Sequence, residues 1–145
     1  MKLTETIFAD LHNVDTFCMR IRKYYKDVID KRDLFVVELL LRESLNNAVI
    51  HGSNQDQNKK IQCLCLLVNN EFIIEVEDEG SGFDWRNKLN DEINADPFEL
   101  PSRGLLILNQ NADQLKFNQR GNKLYLKKSL RASTTSIINV NKKNQ

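Results

Sequence analysis

Apolar residues recur at two different periods along the chain, and the switches between them mark out the elements. Leu3 to Leu11 mixes apolar and polar positions in a short run that reads as a strand, and Asn13 to Asp15 suit a helix start. From Val14 to Ile29 the apolar positions Phe17, Cys18, Ile21, Tyr24, Tyr25, Val28 and Ile29 return every three or four residues, which predicts a helix with one buried face. A second helix is predicted from Asp33 through Leu34, Val37, Leu40, Leu41, Leu45, Ala48 and Val49. It closes near His51 and Gly52, where glycine can adopt the left-handed conformation of a C-terminal cap.

Ser53 to Lys60 is polar throughout and reads as a loop. Lys60 to Val68 and Glu71 to Val76 are rich in β-branched and apolar residues with Asn69-Asn70 between them, the pattern of a hairpin. Trp85 to Ser102 has no sustained apolar period and is expected to be a long loop, functional or mobile. Gly104 to Asn111 reads as a helix with Leu105, Leu106 and Leu108 inward; Gln114 to Phe117 and Lys123 to Lys127 form a second hairpin around Arg120-Gly121-Asn122. The division expected is a domain over 1–130 and a polar, loosely held tail over 131–145. The fold class expected is α+β, a two-layer sandwich with helices on one face of a mixed, mostly antiparallel sheet.

The 145 residues, 41% hydrophobic and 28% charged, fit one soluble globular domain. Lys and Arg number 21 against 20 Asp and Glu, so the basic surplus of a dedicated nucleic-acid binder is missing. No apolar run approaches the roughly 20 residues of a membrane span, and Met1 to Thr6 lacks the start of a signal peptide. A cytoplasmic protein with no direct nucleic-acid and no membrane partner is expected. Cys18, Cys63 and Cys65 are odd in number and form no Cys-x-x-Cys pair, so buried free thiols are expected.

Three places carry candidate chemistry. On the second helix Glu43, Asn47 and His51 are four apart, and each such step turns only about 40°, so they form one ridge beside the core face. A carboxylate and a carboxamide one turn apart suit a proton acceptor and an oxygen ligand for a hard divalent ion, although spacing alone also describes a solvated helix edge. Strand alternation places Asp78 on the apolar side with Phe72, Ile74 and Val76, where a carboxylate needs a partner such as a ligand's amino group. Gly80 and Gly82 then free the backbone and Phe83 offers an apolar wall, though a lone Gly-x-Gly also describes a plain turn. Arg103 and Gly104 open the last helix, where a guanidinium and backbone N–H groups suit phosphate oxygens. P-loop and dinucleotide-binding glycine patterns are absent from the sequence.

In this order the pieces resemble the GHKL (Bergerat-fold) ATPases and kinases, and most closely the small bacterial anti-sigma-factor serine kinases. Glu43 to His51 resembles the family's N box, Asp78-Glu79-Gly80-Ser81-Gly82-Phe83-Asp84 its G1 box, and Arg103-Gly104-Leu105 the core of its G2 box. The resemblance implies ATP and Mg2+ as cofactors, with Asn47 on the magnesium and Glu43 as general base. It implies that Asp78 binds the adenine amine and that Gly80, Gly82 and Phe83 surround the nucleotide. Trp85 to Ser102 would be the ATP lid, and Arg103, Gly104 and Leu105 would meet the phosphates. One departure is Ser102, where the family commonly has glycine; it can donate to a phosphate but would restrict lid closure.

The function so implied is a serine/threonine kinase that phosphorylates a STAS-type anti-sigma-factor antagonist and otherwise sequesters a sigma factor, working as a homodimer. Two alternatives come with it. An ATP-binding regulatory module would bind a protein without phosphotransfer. The catalytic half of a sensor histidine kinase would need a phospho-accepting histidine before a long helical pair, and neither His12 nor His51 is so placed.

Overall fold

The computed structural model describes residues 1–96, 98 and 103–131. Strand β1 (Lys2–Phe8) leads into helices α1 (Leu11–Tyr25) and α2 (Lys31–Asn47), the hairpin β2 (Lys60–Val68) and β3 (Glu71–Asp78), helices α3 (Trp85–Asn94) and α4 (Gly104–Asn111), and the hairpin β4 (Gln114–Phe117) and β5 (Lys123–Ser129). The strands form one sheet in the order β1-β2-β3-β5-β4, and every pairing is antiparallel, where a partly mixed sheet was expected. The α+β sandwich stands as expected. The expected tail beyond Arg131 lies outside the described residues, as do Pro97 and 99–102 of the expected lid.

Helix starts fall earlier than expected because the caps are different aspartates. Asp10 accepts from the His12 N–H at 2.9 Å, and Asp30 accepts from the Arg32 and Asp33 N–H groups at 2.8 and 3.0 Å. Each satisfies donors that a helix start leaves without intrahelical partners. The first helix accordingly runs Leu11–Tyr25 rather than Val14 to Ile29, although Ile29 is still buried. In the β2–β3 turn Asn69 and Asn70 both have positive φ, 51° and 62°, the conformation a two-residue hairpin requires and asparagine tolerates.

The core lies between the sheet and the helices. Phe17 and Ile21 of α1, Leu40, Leu41 and Leu45 of α2, Ile61 of β2, Phe72 and Ile74 of β3, and Leu126 of β5 are essentially sealed from water. Each such side chain contributes about 1.5–3 kcal/mol of burial free energy. Cys18, Cys63 and Cys65 are buried free thiols, and burial raises the Cys18 thiol to about 11. Among the described residues no helix is long and apolar enough to cross a membrane.

Two further expectations are corrected. Trp85–Asn94 is a ten-residue helix rather than loop, capped by Asp84, which accepts from the Asn87 N–H at 3.2 Å. Gly52 does not provide a left-handed cap. The end of α2 widens into a π-helical turn, Ala48–Gly52, and the positive φ values fall two residues later, on Asn54 and Gln55.

Candidate nucleotide site

The π-helical turn brings the backbone at Gly52 against the end of β3. A Cβ on Gly52 would stand 2.6 Å from Asp78 Oδ1 and closer still to Oδ2. A Cβ on Gly80 would overlap the Gly52 carbonyl oxygen. Glycine is required here by close approach of chain to chain. Asp78 is 7% exposed, and its Oδ1 accepts from the Gly80 N–H at 2.7 Å. Burial pushes its carboxyl above the usual range, and the Gly80 N–H, Lys59 and Arg120 offset part of that push.

The β4–β5 turn closes this end of the site. The Asp78 N–H donates to the Asn122 carbonyl at 2.9 Å, and the Asn122 side-chain amide donates to the Asp78 carbonyl at 3.3 Å. The Phe83 N–H donates to the Arg120 carbonyl at 3.1 Å, and the Arg120 guanidinium donates to the Gly80 carbonyl at 3.4 Å. Gly82 has φ 90°, and a Cβ there would overlap the Arg120 carbonyl. Phe83 stacks on His51 with ring centroids 5.3 Å apart and meets Phe117 edge-on at 6.0 Å. His51 is therefore part of an aromatic wall; burial and Lys88 lower its pKa and favour the neutral ring.

Asn47 is the last residue of α2, directly before the π-turn, and Glu43 lies one helical turn ahead of it. Burial raises the Glu43 carboxyl pKa, with Arg42 opposing. Asn47 is 9% exposed, and its side-chain Nδ2 has no hydrogen-bond partner among the described residues. The N-terminus of α4 sits directly against both. A Cβ on Gly104 would stand 2.8 Å from Glu43 Oε2 and 3.5 Å from Asn47 Oδ1. Arg103 occupies the N-cap position of α4, and the Leu105 side chain is in the core, leaving its backbone N–H as the group it can offer a ligand.

The residues singled out from sequence thus fall around one corner of the molecule. A small cavity runs from Asn47 past Val76 and Asp78 to Phe83, Phe117 and Asn122. It brings the Asp78 carboxylate, suited to an amine, and the Asn47 carboxamide onto one lining with the apolar Val76, Phe83, Phe117 and Leu124, while Glu43 and the N-terminus of α4 meet Asn47 beside it. Asn122, Phe117 and Gly52 were missed as site residues. The Asn118-Gln-Arg-Gly-Asn turn was visible, but its contact with Asp78 spans 44 residues and leaves no local signal. Among the described residues no three His, Cys, Asp or Glu side chains cluster as a metal site. The residues present nonetheless fit magnesium in its usual mode of binding, in which one or two protein oxygens are joined by substrate phosphates and water.

The family model of the histidine kinase-like ATPase domain matches residues 7–128. Over 108 residues the chain is 24% identical to an anti-sigma F factor of Oceanobacillus iheyensis, covering 71% of this chain and 74% of that protein. The match runs from the end of β1 to the end of β5 and takes in every side chain of the corner just described, so the chain belongs to the histidine kinase-like ATPase domain family, which implies ATP binding.

Proposed function

We propose that the protein is an ATP-dependent serine/threonine kinase that acts as an anti-sigma factor. It transfers phosphate to a STAS-type antagonist and sequesters a sigma factor when that antagonist is absent, working as a homodimer. The observation that carries the reading is the approach of the α4 N-terminus to Glu43 and Asn47, with Asn47 and Asp78 lining one cavity. The similarity to an anti-sigma F factor supports the regulatory half.

In this reading Asp78 accepts from the adenine amine, and Phe83 and the Gly80–Gly82 backbone bound the base. Arg103 and the first N–H groups of α4 hold the phosphates, a use for which a helix N-terminus is suited. Asn47 would hold magnesium, which when bound neutralises charge on the phosphates. Glu43 takes the proton from the partner's hydroxyl as its oxygen bonds to the γ-phosphorus, and ADP leaves with the electrons of the broken P–O bond. Burial, which raises the pKa of Glu43, suits that role.

The test is incubation with γ-labelled ATP, magnesium and purified STAS-domain proteins of the same genome. Label on a serine or threonine of one of them, lost with Glu43→Ala, is the expected result. ATP binding without transfer to any of them would favour the regulatory module instead.

A further inference from the structure

Helix α3 buries one side chain, and that side chain is charged. Glu92 is 2% exposed, and neither carboxylate oxygen has a hydrogen-bond partner among the described residues. Burying an unpaired carboxylate is unfavourable, so a surface helix does not turn one inward for packing alone. Burial pushes the Glu92 carboxyl up, while Lys88 and the Leu105 and Leu106 N–H groups draw it down and Glu43 adds to the push. Those two N–H groups belong to the first turn of α4 and attract the carboxylate without closing a bond of normal geometry. Glu92 therefore rests at the positive end of the α4 dipole, the end whose Gly104 faces Glu43 and Asn47.

The geometry points to Glu92 as an internal stand-in for a nucleotide phosphate: in the ligand-free protein its carboxylate occupies the N-terminus of α4, and phosphates reach that position only after α3 withdraws it. The inference rests on the nucleotide site proposed above. Two anions cannot share one helix terminus beside Glu43 without strong repulsion. The contact is also easily given up, because among the described residues the carboxylate has no closed hydrogen bond to lose, and it regains hydration on leaving. The other end of α3 is anchored, with Trp85 stacked on Phe117 at 4.7 Å and Asp84 capping the helix. That arrangement lets the Glu92 end move while the first turn stays in place.

The occupied fraction of a self-capped state lowers apparent affinity for phosphate-bearing ligands in proportion. Wild type, Glu92→Gln and Glu92→Ala would be titrated with magnesium-ATP and with adenosine, and amide hydrogen exchange at Leu105 and Leu106 followed without ligand. Both variants should bind ATP about three- to tenfold more tightly and adenosine unchanged, since adenosine has no phosphate to compete. The Leu105 and Leu106 amides should exchange faster in Glu92→Gln. That variant keeps the side-chain shape and carries the test if Glu92→Ala fails to fold. Equal or weaker ATP binding by Glu92→Gln, with wild-type binding intact, would overturn the stand-in and leave the nucleotide site standing. Failure of wild type and variants alike to bind ATP would overturn both.

Discussion

Gly52 and Asp78 are 26 positions apart in sequence and in direct contact, and the missing Cβ of Gly52 is what leaves room for the Asp78 carboxylate. Gly52→Ala must move either that carboxylate or the π-helical turn, and Asp78 is held by the Gly80 N–H in a space Gly80 also needs. Overpacking of this kind costs about 1–3 kcal/mol. The variant is expected to melt lower and to bind ATP and adenosine at least about tenfold more weakly, because the displaced group is a proposed ligand for the base. Thermal unfolding and titration calorimetry check both effects, and unchanged adenosine affinity would contradict the role given to this contact.

Asp78→Asn separates stability from binding. Burial raises the Asp78 pKa, so the folded protein takes up a proton there at a higher pH than the unfolded chain. Relative to Asp78→Asn, the ligand-free wild type should therefore gain stability as pH falls through that raised pKa, and lose it as pH rises. Nucleotide binding has the opposite slope, because the protonated carboxyl is a poorer acceptor for the adenine amine. At neutral pH the variant should melt no lower than wild type yet bind ATP about ten- to a hundredfold more weakly, the loss of one charged hydrogen bond. Melting curves and titrations of both proteins across pH 4–8 supply the measurement, and parallel slopes for stability and binding would refute the assignment.

Much of the site was legible because its cues are local. Alternation along β3 put Asp78 on the buried side, and four-residue spacing put Glu43 and Asn47 on one ridge. The β2–β3 hairpin and α4 were expected with nearly the bounds observed, since Asn69-Asn70 and the leucines after Gly104 leave little choice of period. Helix α3 was not readable: the inward-facing Glu92 gives it no apolar stripe, and its start rests on the single cap Asp84. The end of α2 misled for a related reason. A glycine after a helix usually marks a left-handed cap, but here the glycine is set by contact with Asp78, which no neighbour in sequence reports. Asn122 and Phe117 entered the site through the same kind of distant contact.

Glu43 and Asn47 sit one turn apart against Gly104, yet their proposed tasks are different and should separate on mutation. Glu43→Ala removes a proton acceptor and no proposed nucleotide ligand, so ATP affinity should hold while phosphotransfer falls about 10²–10⁴-fold. Because burial raises the Glu43 pKa, wild-type transfer should climb as pH rises through that value, and the residual rate of the variant should lack that limb. Asn47→Ala deletes an amide whose Nδ2 has no partner among the described residues, so it should cost no more than about 1 kcal/mol of stability. Its effect should fall on the metal: ATP affinity with magnesium should drop to the value that wild type shows in a chelator. Titrations with and without magnesium, beside transfer rates over a pH series, distinguish the two residues. Equal loss of magnesium-dependent binding in both variants would mean that Glu43 is a ligand rather than a base.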